Sequence, residues 1–431
     1  MKKRFLFTTL LAGIIAAVLV MPGIIQWEVS AAEKPFQEVY DAGLTKYVGS
    51  DLVKATSKST LGDLVTYHYK PSATGRGPIC MRGDEFNVEA RNGKNGNNNL
   101  LIFLEGGGVC LNEICLATAK PTLSLQLMST SALIGMGGVL NRANSDNPMK
   151  DYNVVHIPYC DGSVFMGDVD RGLPDGDDSN GTVDMAYQRG LQNLTAALEV
   201  AKLRYPNPSR IVLAGTSGGS YGIVAATALV RYYYPTKEIV VVADSGAPIL
   251  RDEDKDFVRR TLTQINAIQY VPLQSCPDCI ANGHVTKILD WAMNRDKNFR
   301  LAYMSHADDA VIGDFFMASP PPIFRTAAIR ETGTLATAWP NRFHRFITPG
   351  TAHTYLLDVG TVPDWLQEIA LSLFGDMIFS GSNANGMANM TMGDLYEKGT
   401  DQKGHKVNGY KWLTKFLNNS IFDPCVDVVN E

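Results

Sequence analysis

At 431 residues, with 45% hydrophobic and 19% charged side chains, the chain is long enough for one large α/β unit with a deep core, and its composition speaks against a disordered or repeat-built protein. Its formal net charge of −5 offers no electrostatic basis for binding nucleic acid or an anionic membrane surface. Seven cysteines (80, 110, 115, 160, 276, 279 and 425) suit an oxidising compartment, where close pairs become disulfides.

Lys2, Lys3 and Arg4 precede an apolar run over residues 5–25, and Ser30-Ala31-Ala32 then supplies the small residues a signal peptidase requires. Residues 1–32 are therefore expected to be an export signal. The run is longer than usual, so an uncleaved membrane anchor is the alternative; Pro22 and Gly23 interrupt it and favour cleavage. Cleavage removes three positive charges and one negative (Glu28), taking the net charge from −5 to −7.

Residues 33–60 are mixed and polar and read as an N-terminal extension. Residues 65–69 and 86–90 alternate as strands do, and the Asn/Gly-rich stretch 92–99 reads as a hairpin loop. Residues 100–104 (Leu-Leu-Ile-Phe-Leu) form a continuous apolar run, expected of a strand buried on both faces of a parallel sheet. That strand ends in Glu105-Gly106-Gly107-Gly108-Val109-Cys110. Three glycines after a buried strand suit an oxyanion-hole loop, where two N–H groups must approach one oxygen without interference from side chains. A phosphate loop is the weaker reading, since no Gly-Lys-Ser/Thr follows.

Residues 153–157 are the next buried strand, and the loop from Tyr159 to Asp168 at its carboxyl end should line the ligand crevice. The acidic segment 175–181 hints at calcium but lacks the EF-hand register, so a solvated loop is favoured. Residues 183–203 have helical apolar spacing. Residues 211–216 then form a β-branched run that stops at Gly215-Thr216-Ser217-Gly218-Gly219, and a small-residue helix follows from 223 to 230. Strand, sharp turn and helix are the context of a nucleophile elbow, with Ser217 at the apex and the Gly218 N–H facing the reacting carbonyl. Later strands at 238–243, 300–305 and 343–347 end respectively in Asp244, in Asp308-Asp309 and in a loop carrying His353; a helix resumes near residue 362. Alternating strands and helices argue for a doubly wound, mostly parallel sheet.

A serine hydroxyl needs a base to take its proton, and the base needs a carboxylate to fix its tautomer. In the order Ser, Asp, His, each at a strand's carboxyl end, His353 fits best: His344 lies inside a strand, and His68 and His156 precede the serine. Asp308 and Asp309 both follow the right strand and spacing does not separate them; Asp244 is the outsider. Cys110 with Cys115 and Cys276 with Cys279 are the expected short-range disulfides. A zinc site at Cys276-x-x-Cys279 with His284 lacks an obvious fourth ligand. No cofactor or metal is expected, and no partner beyond the substrate.

Leu104-Glu105-Gly106-Gly107-Gly108-Val109-Cys110, Pro158-Tyr159-Cys160-Asp161-Gly162, the Gly215 to Gly219 elbow, Asp309-Ala310-Val311-Ile312 and His353-Thr354 together resemble the pectin acetylesterase and Notum family, in its bacterial branch. Cys80-Met81-Arg82-Gly83 resembles that family's opening segment, so the likeness spans roughly residues 78–370. The resemblance implies an α/β-hydrolase fold over one catalytic domain, residues 33–431, with loop insertions. It also implies a monomeric, exported Ser-Asp-His carboxylesterase that removes acyl groups, typically acetyl, from polysaccharide or related esters. The family's acid box usually reads Asp-x-x-Gln, which implies Asp309 as the acid with Ile312 in place of Gln. Its oxyanion loop usually reads Gly-Gly-Gly-Trp-Cys, with Val109 here in place of Trp; the implied oxyanion donors are the N–H groups of Gly108, Val109 and Gly218. A lipase or polyester depolymerase would use the same triad with a greasier pocket, and a non-catalytic binding module of the same fold is the remaining alternative.

Overall fold

The computed structural model describes residues 34–71, 75–112, 115–117, 138–172, 185–316, 321–357, 393–420 and 425–426. The expected export signal, the acidic segment 175–181 and the helix near 362 lie outside the described residues.

Sixteen strands are described: β1 (Ser57–Leu61), β2 (Leu64–Tyr69), β3 (Phe86–Arg91), β4 (Leu100–Leu104), β5 (Gly108–Cys110), β6 (Cys115–Ala117), β7 (Asn153–Ile157), β8 (Val169–Gly172), β9 (Met185–Gln188), β10 (Ile211–Thr216), β11 (Ile239–Asp244), β12 (Phe299–His306), β13 (Phe343–Thr348), β14 (Lys398–Thr400), β15 (Lys406–Asn408) and β16 (Cys425–Val426). Ten of them build one sheet in the order β1-β2-β3-β7-β4-β10-β11-β12-β13-β16, parallel from β7 onward and antiparallel at the β1 end.

The apolar runs read as strands because both faces of this sheet are covered. Leu100, Ile102 and Leu104 of β4 join one core while Leu101 and Phe103 join the other; Ile211 and Leu213 alternate with Val212 and Ala214 in β10 in the same way. The first core packs against α1 (Gly190–Arg204), α2 (Gly218–Tyr233), α3 (Phe257–Gln264), α4 (Thr286–Arg295) and α5 (Pro321–Ala338); the second packs against α6 (Gly409–Leu417). Each fully buried Leu, Ile or Val contributes about 1.5–3 kcal/mol relative to exposure. Both α1 and α2 stop one residue short of a proline. Tyr205 and Tyr234, each held ahead of a Pro, leave the helical region at φ near −130° and ψ near 68°.

Residues 92–99 do not close a hairpin. β3 and β4 are not neighbours, because β7 sits between them, antiparallel to β3 and parallel to β4. The Asn/Gly-rich loop is a turn, but the strand that fills the gap comes fifty residues later in the chain.

The register brings the strand ends that carry the candidate site residues to one edge. Gly215 pairs with Leu104, Thr216 with Asp244, Asp244 with Met304 and His306 with Thr348. Three disulfides brace the molecule. Cys110–Cys115 and Cys276–Cys279 are the short-range pairs expected, and Cys80–Cys160 joins residues 80 apart in sequence; Cys425 is buried and stays a thiol.

Candidate active site

β10 is buried at all six positions and delivers Ser217 at φ 50°, ψ −119°. That conformation costs a non-glycine residue about 1–3 kcal/mol, so it persists only where the surroundings over-determine it. Here they do. The Ser217 N–H is held by the Asp244 carbonyl at 2.9 Å, and Ser220 N–H returns to the Ser217 carbonyl at 2.9 Å. The turn is tight enough that a Cβ on Gly215 would lie 2.3 Å from the Gly219 oxygen, and one on Gly219 would lie 2.2 Å from the Leu104 oxygen. Strand and helix can fold back this closely only with glycine at both places.

The glycine loop after β4 lies against this turn. Gly106 N–H donates to Thr216 Oγ1 at 3.1 Å, and the Gly108 carbonyl is so near Gly218 that a Cβ there would be 2.9 Å away. Gly108 and Val109 belong to β5, which pairs with β6 and is pinned by the Cys110–Cys115 disulfide and a Cys110 N–H bond to Gly162. Ser217, Gly218, Gly108 and Val109 all line one cavity.

His353 and Asp309 form a buried pair: the imidazole Nδ1 lies 2.9 and 3.0 Å from the two carboxylate oxygens. The same carboxylate accepts the N–H groups of Val311 and Ile312. Asp308 points elsewhere, into an ion pair with Arg325. Geometry thus separates the two neighbours that spacing could not. The remaining histidines have other partners: His68 meets Glu85, His156 meets Glu89, His284 meets Asp252, His306 meets Glu397, His405 meets Asp401, and His344 packs edge-on to Phe416. Burial lowers His344 to about 4, which keeps it neutral. His284 has no cysteine partner, since Cys276 and Cys279 are bonded to each other, and among the described residues no cluster of three His, Cys, Asp or Glu could hold a metal.

Ser217 and His353 are not joined directly by a hydrogen bond among the described contacts; the end of β11 links their loops. The Asp244 carboxylate, fully buried, accepts the N–H groups of Tyr355 and Leu356 at 2.8 Å, and Ser245 Oγ accepts Thr354 N–H at 3.1 Å. Asp244, the outsider of the sequence reading, therefore grips the histidine loop with its side chain and the serine turn with its carbonyl. Burial raises its carboxyl to about 6. Its apolar run ending in Asp-Ser-Gly was the available signal, and nothing in it distinguished a support from an acid.

The cavity is walled almost wholly by apolar side chains, among them Tyr221, Val224, Ala225, Ile288 and Trp291, and holds about 1220 Å³ of empty space counting the part open to solvent. Phe36, Val39 and Leu44 of the N-terminal segment also line it. In the sequence that segment reads as a polar extension, although the spacing of Phe36, Val39, Tyr40 and Leu44 is that of one helical face.

A family model described as pectinacetylesterase matches residues 60–279. Pectin acetylesterase 4 of Arabidopsis thaliana is 29% identical over 216 residues, 49% of this chain and 50% of that protein. Pectin acetylesterase 11 of the same plant is 26% identical over 185 residues, covering 41% and 44%. The palmitoleoyl-protein carboxylesterase notum1' of Xenopus laevis is 28% identical over 162 residues, covering 35% and 31%. The match therefore spans half or less of the length of these curated relatives. The solved structure of the Wnt deacylase Notum from Drosophila aligns with a TM-score of 0.47 at 16% identity, covering 71% of this chain and 87% of that one. The matched stretch holds the glycine loop, the disulfide pairs and Ser217, and stops short of Asp309 and His353. With more than half of its length inside the family model, the chain belongs to the pectinacetylesterase family.

Proposed function

We propose that this protein is an exported serine carboxylesterase that needs no cofactor. Ser217 Oγ attacks the ester carbonyl while His353 Nε2 takes its proton and then returns it to the departing alkoxide. Asp309 accepts a hydrogen bond from the Nδ1–H of His353, fixes the tautomer and stabilises the imidazolium. The N–H groups of Gly218, Gly108 and Val109 face the oxyanion, and water releases the acyl group. The observation that carries this reading is the buried Asp309–His353 pair on the same sheet edge as a strained serine that opens on a cavity. Family membership supports ester hydrolysis as the reaction class, and three disulfides support export.

The apolar walls favour a substrate whose acyl group is a hydrocarbon chain longer than acetyl. The Xenopus relative is named for removing a palmitoleoyl group. Acetyl esters of polysaccharide, the expectation from sequence, remain the second reading, favoured by the family's description and the plant relatives. Residues 33–431 act on either substrate as one catalytic domain.

Hydrolysis of nitrophenyl esters from acetate to palmitate, run beside Ser217→Ala, tests both readings. Activity lost in the variant and higher on esters of medium-length alkyl chains than on acetate is expected. Preference for acetate transfers the assignment to acetylated polysaccharide, and inactivity on every ester restores the non-catalytic binding module.

A further inference from the structure

The cavity has a direction. Along α2 the residues that line it are Gly218, Tyr221, Val224, Ala225, Thr227 and Ala228, and all but Thr227 are spaced so that they share one face of the helix. Ala228 is eleven residues from Ser217, a rise of about 16 Å along the helix axis. An extended alkyl chain advances roughly 1.3 Å per carbon, the projection of a C–C bond of ~1.5 Å, so the space beside α2 accepts about a dozen carbons beyond the reacting carbonyl.

The N-terminal segment meets the helix at this far end. Tyr40 Oη donates to the Ala228 carbonyl at 2.7 Å, and its ring packs edge-on against Tyr232, one turn further from Ser217. Phe36 packs against Trp291 of α4 with ring centroids 5.6 Å apart and planes tilted by 35°, and both rings line the cavity. The segment is tied down on its outer side. Glu38 accepts the N–H of Gln274 at 2.9 Å and the Ser275 hydroxyl, and that same hydroxyl accepts the Trp291 indole N–H at 2.7 Å. Lys46 and Tyr47 both donate to Asp168. Two further lining residues, Val271 and Pro272, run directly into the turn bridged by the Cys276–Cys279 disulfide, with the Cys276 N–H bonded to the Pro272 carbonyl at 2.8 Å.

We propose that residues 36–44 are the end stop of an acyl tunnel, so that Phe36 and Val39 set the longest fatty acyl chain this enzyme hydrolyses efficiently. The proposal rests on the esterase reading above and adds the element that measures the chain. Small side chains at Ala225 and Ala228 keep the tunnel open along α2, and a ring at position 36 closes it.

The test is the ratio of kcat/KM for nitrophenyl palmitate to that for nitrophenyl octanoate. Each methylene newly admitted to apolar surface is worth roughly a fourfold gain, so Phe36→Ala should raise the ratio tenfold or more. Ala225→Phe, placed about 12 Å along the helix from Ser217, should lower it at least tenfold by plugging the tunnel midway. If Phe36→Ala does not fold, Phe36→Leu and Val39→Ala read the same ratio. A ratio unmoved by all the N-terminal variants while Ala225→Phe lowers it would overturn the end stop and leave the esterase intact. A ratio unmoved by Ala225→Phe as well would remove the acyl chain from this cavity altogether, whereas activity that survives Ser217→Ala would sink the underlying esterase reading.

Discussion

Replacing Asp309 by asparagine tests the acid more sharply than deleting it. Asp309 Oδ1 accepts the N–H groups of Val311 and Ile312 at 3.1 and 3.0 Å, while Oδ2 stands 2.9 Å from His353 Nδ1. In Asp309→Asn the carbonyl oxygen must take the Oδ1 place, because an NH2 group there would face two donors. Although Oδ1 is also 3.0 Å from Nδ1, the amide NH2 then stands 2.9 Å from it, where two N–H donors repel, so Nδ1 becomes an acceptor and the imidazole proton moves to Nε2. A histidine protonated on Nε2 cannot receive the serine proton. The equivalent amide in the serine-protease triad costs about 10⁴ in kcat, or about 5.5 kcal/mol of barrier, and a loss of that order is expected here with little change in melting temperature. Asp308→Asn instead breaks a partly exposed ion pair with Arg325, worth about 1 kcal/mol or less, and should leave activity within a few fold. The assay is kcat/KM on one nitrophenyl ester with thermal melting of both variants. Equal losses of activity at the two aspartates would refute the tautomer argument.

Asp244→Ala leaves the N–H groups of Tyr355 and Leu356 buried without their acceptor, at about 1–3 kcal/mol each, so melting temperature and kcat should fall together; a fall in kcat to the Asp309→Asn level at unchanged stability would make Asp244 the acid. Asp161 is fully buried and burial pushes it up to about 7, although the Ser163 hydroxyl donates to it. Its folded value lies above the unfolded one near 4, so the stability it contributes is complete below pH 4 and is lost as pH rises through 7, up to about 4 kcal/mol. Melting temperature should therefore drop more between pH 4 and 7 in the wild type than in Asp161→Asn, and parallel curves would count against it. Cys80–Cys160 closes the longest loop of the three disulfides, worth about 4 kcal/mol of chain entropy; Cys80→Ser should lower the unfolding free energy by about 2–5 kcal/mol in denaturant titration, and an unchanged midpoint would contradict the entropic account.

The strands most legible in the sequence were those buried on both faces. In β4, β10 and β11 every residue but the terminal Asp244 must be apolar or small, so composition alone marks them, and the loops that leave their ends carry the candidate site residues. Ser217 could be read because an elbow restricts its neighbours to glycine. Adjacent aspartates share a strand end and a chemistry, so only the direction of each side chain, toward His353 or toward Arg325, tells them apart. The position of β7 was hidden because turn residues report the local bend and not which later strand will fill the space beyond it. Phe36, Val39, Tyr40 and Leu44 were overlooked because their helical spacing is embedded in polar sequence and their burial depends on α2 and α4, almost two hundred residues and more downstream.

The N-terminal segment also bears on how the protein is produced. Trimming a recombinant chain to the stretch the family model covers, 60–279, would discard Asp309 and His353 together with the Phe36 wall. A start at residue 45 would keep the proposed triad yet expose the apolar walls of the cavity to water, inviting self-association. A start at residue 33 retains Phe36 and its anchors, and is the boundary from which purified material should be made.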